Sequence, residues 1–130
     1  MLLPAGGGAW ASLSDRNAKE NEQAVSPRQV LDRVAALPIG TWNYRTQDKA
    51  TRHIGPMAQD SYAAFQLYED DRHITTIDAE GVALAAILGL NQKVEGLKEE
   101  LNLRDAENAQ LKQRLENLEQ LLSSKAGGEQ

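Results

Sequence analysis

The sequence contains no cysteine. Disulfides, thiol catalysis and cysteine-based zinc sites are therefore excluded, and the redox compartment is left undecided. Rings are scarce: two Trp, three Tyr and one Phe, 5% of 130 residues. That is thin for a compact core of this size, so either the core is small or much of the chain is helix that needs few rings. Long apolar runs are missing as well. The longest, residues 81–90, is about half the ~20 residues of a membrane span. The opening Met1-Leu2-Leu3-Pro4 lacks a basic n-region and a proper h-region, so it does not read as a signal peptide. Nor is there a basic patch: 14 Lys and Arg against 19 Asp and Glu give a net charge of −5 and a pI near 5.0. That balance argues against binding to a nucleic-acid backbone. What is present, 41% hydrophobic and 25% charged residues, is not the composition of a disordered tail. The length fits one domain, or a small domain with an appended helix.

Three zones separate by composition. Residues 1–13 carry Gly6-Gly7-Gly8 ahead of Trp10 and read as a glycine-rich, flexible N-terminal lead. Residues 14–80 read as a small globular domain. Within it, Ser26-Pro27-Arg28-Gln29 combines a capping serine, a proline at the first helical position and a glutamine three residues on. Val30, Leu31, Val34 and Leu37 then share a helix face, and Pro38 and Gly40 end it. Thr41-Trp42-Asn43-Tyr44 predicts a short strand, residues 47–51 a turn, and Arg52-His53-Ile54-Gly55 a partner strand, together a hairpin. Pro56 opens a short helix with Ala58, Tyr62 and Phe65 on one side. Glu69-Asp70-Asp71 is an acidic turn, and the β-branched Ile74-Thr75-Thr76-Ile77 predicts an extended segment or short strand.

The third zone is a long helix with Asp78 as its N-cap, carrying a coiled-coil pattern over residues 81–122 and a disordered tail over 123–130. With Ile87 at heptad position a, the a series is Ile87, Val94, Leu101, Asn108, Leu115 and Leu122. The d series is Leu90, Leu97, Arg104, Leu111 and Leu118. Nine of these eleven positions are apolar, a period of 3.5 sustained too long for a helix that only packs on its own domain. In a parallel coil, g pairs with the e five residues on in a neighbour. Glu107 with Lys112 and Arg114 with Glu119 attract, whereas Lys93 with Lys98 and Glu100 with Asp105 repel. Asn108 and Arg104 cost stability and can fix register or partner choice. Ile and Val at a with Leu at d lean toward two strands, and periodicity alone leaves the number of chains open.

Few residues offer chemistry. His53 and His73 lie in different segments, and neither sits in a metal-spacing motif. A surface hydrogen bond to the neighbouring aspartates suits His73, and a structural place in the hairpin suits His53. Gly6-Gly7-Gly8 has no following lysine and is no phosphate loop. Residues 69–71 lack the alternating ligand spacing of a calcium loop. No cofactor and no metal is called for. One constellation remains, Ser14-Asp15-Arg16-Asn17-Ala18-Lys19-Glu20-Asn21. A serine hydroxyl needs a group to take its proton, and a lysine can do so only when burial or nearby positive charge disfavours its ammonium form. On a regular helix, residues five apart point well over a right angle away from each other, so pairing Ser14 with Lys19 requires a turn or loop. From spacing alone the bland alternative is Ser14 or Asp15 as a cap, with Lys19 solvated.

Ser14-Asp15-Arg16 followed by Lys19-Glu20-Asn21 resembles the opening motif of the C-terminal intramolecular chaperone domain of phage endosialidases and tail fibres, an autoproteolytic serine-peptidase domain. Further pieces match in order: the helix over residues 27–37, the aromatic strand Trp42-Asn43-Tyr44, the segment His53-Ile54-Gly55-Pro56-Met57-Ala58-Gln59-Asp60, and Thr76-Ile77-Asp78 leading through residues 82–90 into a coiled coil. The resemblance covers roughly residues 12–122. Asn17-Ala18 stands where the family often has arginine-leucine, and Ser61 where it often has an aromatic residue.

The resemblance implies an α+β, mostly α fold: a small domain with a short hairpin, then a long helix in a parallel, trimeric coiled coil. It implies a domain that trimerises, helps an upstream fibre segment fold, and cuts itself off beside Ser14. Ser14 would be the nucleophile and Lys19 its general base, with Asp15 positioning the loop. The implied partners are two further copies of the chain and the fibre client, in a phage tail or in the host during assembly. Rival readings are a non-catalytic trimerisation cap and a coiled-coil adaptor. Thirteen residues precede Ser14, which reads either as a fragment of a longer frame or as a short protein keeping the domain without its client.

Overall fold

A computed structural model describes residues 1–128. The element order is a 3-10 turn (Arg16–Ala18), α1 (Pro27–Ala36), β1 (Gly40–Trp42), β2 (His53–Gly55), α2 (Ala58–Phe65) and α3 (Thr76–Gly128). The fold is mostly helical, with one short antiparallel hairpin and a long C-terminal helix, as the sequence implied. The chain divides into two compact units, Met1–Leu90 and Asn91–Gln130. Among the described residues no helix is long and apolar enough to cross a membrane.

In the first unit the glycine-rich lead closes on itself. Leu2 and Ala11 exchange backbone hydrogen bonds of 2.8 and 2.6 Å, and Gly6 turns the chain at φ +76, a conformation glycine adopts without a side-chain clash. Helix α1 starts as its sequence predicts: Ser26 Oγ accepts from the Gln29 N–H at 3.3 Å, and Pro27 occupies the first turn. Its apolar residues Val30, Leu31, Val34 and Leu37 are half-buried. Leu37 caps the C-terminus, and Gly40, expected to lie between elements, already belongs to β1.

The hairpin pairs Gly40 with Gly55, Thr41 with Ile54 and Trp42 with His53. The Arg52 guanidinium clamps it, donating to Asn43 Oδ1 and Thr41 Oγ1, each at 3.0 Å. On one face the Trp42 ring lies 5.0 Å from His53 and 4.9 Å from Tyr44. Helix α2 begins two residues after Pro56 and ends at Gln66, which takes the left-handed conformation (φ 51). Arg33 of α1 donates to the Ala64 carbonyl at 3.2 Å, tying the two helices together.

The segment 74–77 differs from its strand-like reading. Thr76 and Ile77 are the first residues of α3, and Thr75 Oγ1 accepts from the Asp78 N–H at 3.1 Å. Thr75 is therefore the cap, and the expected cap Asp78 sits inside the first turn. The run of β-branched residues favours a strand by propensity, but that preference is a few tenths of a kcal/mol per residue, less than the ~1 kcal/mol of a side-chain cap. Thr75→Ala is expected to lower the stability of this unit by about 1 kcal/mol, read as a shifted denaturation midpoint. Asp78→Ala should cost less, since it removes only a favourable charge near the helix N-terminus, worth about 0.3–1 kcal/mol.

Ahead of this cap, Asp70 Oδ1 accepts from the backbone N–H groups of Arg72 and His73 at 2.7 and 3.0 Å and meets His73 Nδ1 at 2.9 Å. The Arg72 backbone donor, then the His73 contacts, hold the Asp70 carboxyl below its usual range.

Helices α1 and α3 approach closely at Gly89. A Cβ there would stand 2.7 Å from the Pro27 carbonyl carbon and 2.9 Å from Leu31 Cβ, closer still to the Pro27 oxygen. Ala86, one turn earlier, is 7% exposed and is the one buried hydrophobic side chain among the described residues.

In the second unit α3 runs on to Gly128, six residues beyond Leu122. Of the tail expected to be disordered, residues 123–128 are thus helical, and 129–130 lie outside the described residues. The a and d side chains are all uncovered, Leu97 at 53% and Leu101 at 58% among them. Arg104, at d, folds along its own helix to Glu100 at 2.7 Å, and Lys98 reaches Glu95 at 3.2 Å.

Candidate functional site

The segment 14–21 is organised by a single 3-10 turn. Asp15 supplies its cap: Oδ1 accepts from the Asn17 N–H at 2.9 Å and from Asn17 Nδ2 at 3.3 Å. The Ala18 N–H returns to the Asp15 carbonyl at 3.1 Å, and the Lys19 N–H to the Arg16 carbonyl at 3.3 Å. Arg16, Asn17 and Ala18 form the turn, and Lys19 leaves it in an extended conformation (φ −117, ψ 150). A tight turn followed by an extended residue reverses the chain, which an α-helix of the same length does not do. Lys19 Nζ consequently donates to Ser14 Oγ at 2.6 Å. Both side chains are exposed.

The capping role falls to Asp15, and Ser14 is left free to face Lys19. Asn17, which differs from the usual family residue, has a local use here, because its side-chain and backbone N–H groups both bond the capping carboxylate. Asn21 has a backbone role that spacing did not assign. It sits at φ 55, a left-handed conformation that asparagine tolerates better than most residues. The legible signal was its residue type directly after the Lys-Glu pair.

The two histidines are placed elsewhere. His53 lies among Trp42 and Tyr44, with Nε2 2.9 Å from Gln47 Oε1. His73 is held by the Asp70 carboxylate. Neither shares a hydrogen bond with Ser14 or Lys19 among the described residues, so no Ser-His-Asp arrangement forms there.

A turn that sets a serine against a lysine thus stands at the entrance to a helix–hairpin–helix segment. Residues 14–67 match the family described as chaperone of endosialidase. The match opens on Ser14 and closes just after α2, so the resemblance read in the sequence holds over the turn, α1, the hairpin and α2, and it supports a chaperone role. Among curated proteins none matches the chain.

Proposed function

We propose that the chain is an intramolecular chaperone domain that assembles as a parallel homotrimer on a fibre-like client and then severs its own backbone beside Ser14. The observation that carries the cleavage reading is the 2.6 Å contact between Lys19 Nζ and Ser14 Oγ, within a segment matching the endosialidase chaperone family.

The chemistry starts from a neutral Lys19 amine. It takes the Ser14 hydroxyl proton as Oγ attacks the Leu13 carbonyl carbon, and it passes that proton to the departing Ser14 nitrogen. The C–N bond breaks and an ester joins Leu13 to Ser14 Oγ. Water then adds to the ester carbonyl, freeing a Leu13 carboxyl group and restoring the serine. The net change is hydrolysis of one peptide bond. The reacting groups are already in one loop, so no diffusive encounter is needed. In the single chain the exposed Lys19 Nζ donates to Ser14 Oγ, whereas a base must accept its proton. Enclosing the pair between copies disfavours the charged form, which makes assembly the switch for cleavage.

Assembly is supported by the uncovered seam of the second unit. Leu97, Leu101, Leu111, Leu115 and Leu118 are each more than half exposed in the single chain, and a repeat of 3.5 residues lets a second copy cover them. The charge pattern supports parallel, in-register copies over the last heptads, where Glu107 faces Lys112 and Arg114 faces Glu119.

The test is mass spectrometry of the protein expressed with a longer N-terminal extension. Wild type is expected to yield a new N-terminus at or beside Ser14. Ser14→Ala and Lys19→Ala should each reduce cleavage at least ~100-fold, within the range of nucleophile and general-base contributions. Intact wild-type product would leave a trimerisation cap without peptidase activity.

A further inference from the structure

The middle of the second unit concentrates features that oppose self-association. Arg104 stands at a d position, Asn108 at the next a, and Glu100 would face Asp105 of a parallel neighbour across a g–e contact. The side-chain geometry offers a way to reconcile them. The Arg104 guanidinium does not project outward from the seam alone; it lies along its own helix against Glu100 Oε1 at 2.7 Å, with both side chains more than half exposed. Guanidinium carries five donors in a planar fork, and one carboxylate oxygen leaves most of them unused. In a parallel coiled coil a d side chain inserts among four residues of the facing helix. For Arg104 those are the neighbour's positions 101, 104, 105 and 108, which include an aspartate and an asparagine.

We infer that Arg104 is the specificity element of self-association, bridging Glu100 of its own chain to Asp105 of a second, parallel copy. This rests on the assembly reading above and names the partner as another copy of this chain, held in register. The bridge places a cation between two carboxylates that would otherwise repel. A shift by one heptad in either direction sets Arg104 against Lys98 or Lys112 instead, so the bridge exists only in register. Glu107 with Lys112 and Arg114 with Glu119 satisfy the same alignment.

The experiment uses two full-length variants in a Glu100→Gln background, which removes the competing g–e charge. One adds Arg104→Glu and the other Asp105→Lys. Alone, each sets like charges at positions 104 and 105 of neighbouring copies. Mixed, they set the introduced glutamate against the introduced lysine in one direction, and the native Arg104 against the native Asp105 in the other. Sedimentation equilibrium is expected to show each variant self-associating about tenfold more weakly than Glu100→Gln, with the mixture recovering most of the loss, as several exposed pairs changing sign together would give. Native mass spectrometry should show mixed assemblies above the statistical proportion. Statistical mixing with unchanged affinity overturns the bridge. If Glu100→Gln and wild type are both monomeric, the assembly reading itself fails.

Discussion

Replacing Leu97 and Leu101 together by glutamate is expected to leave the chain monomeric at concentrations where the wild type is assembled. Each leucine is more than half exposed in the single chain, and covering such a side chain stabilises by about 1.5–3 kcal/mol. Two per copy in only two copies, with little over half of each left to cover, is about 3–7 kcal/mol, or a dissociation constant raised ~10²–10⁵-fold. The added carboxylates would face one another and deepen the loss. Sedimentation velocity reads the outcome directly. Helical content should fall with it, because a single helix of mixed composition without a tertiary partner is marginal in water. In the extended protein the same variant separates assembly from chemistry. Cleavage beside Ser14 should slow in step with dissociation, and an unchanged rate in a monomer would sink the idea that assembly switches it on.

Gly89→Ala is expected to destabilise the first unit, although alanine favours helix over glycine by about 1 kcal/mol. The new methyl would stand 2.7 Å from the Pro27 carbonyl carbon and 2.9 Å from Leu31 Cβ. The obstacle is backbone, which cannot rotate away as a long side chain can. Overpacking of this kind costs about 1–3 kcal/mol, and here it must move α1 off α3, uncovering Ala86 as well. The net expectation is a loss of up to about 2 kcal/mol after the propensity gain, read as a lower chemical-denaturation midpoint. Gly81→Ala is the matched control in the same helix. Nothing lies within 4 Å of its added Cβ, so only the propensity term operates and stability should rise by up to about 1 kcal/mol. Equal effects at the two sites would mean that α1 does not pack against α3 as described.

Those two glycines mark where reading the sequence runs out. Both lie within or beside one apolar run, and periodicity treats them alike. Only the approach of α1, a contact some sixty residues away in the chain, separates them. Local signals fared better. The Ser26-Pro27-Gln29 start of α1 and the hairpin strands carrying Trp42 and His53 were legible because short-range geometry decides them. The segment 74–77 was misread because a propensity was weighed without the capping hydroxyl of Thr75 beside it. At the candidate site, spacing could say only that Ser14 and Lys19 need a turn. It could not supply the turn, which depends on Asp15 capping a three-residue helix and on Lys19 leaving it extended.

The distribution of rings has a spectroscopic consequence. The sequence holds no Phe, Tyr or Trp beyond Tyr68, so the whole of α3 is silent at 280 nm and in fluorescence. The two emitters lie on either side of Ser14 and in unlike surroundings. Trp10 is 63% exposed, whereas the Trp42 indole nitrogen is buried and its ring packs tilted against His53 and edge-on to Tyr44. Native emission should therefore have two components, a red, readily quenched one from Trp10 and a blue, iodide-resistant one from Trp42. Scission beside Ser14 followed by gel filtration would carry the first component away with the released lead and keep the second. Loss of the hairpin would shift the second and spare the first, so emission of the filtered protein distinguishes backbone scission from unfolding.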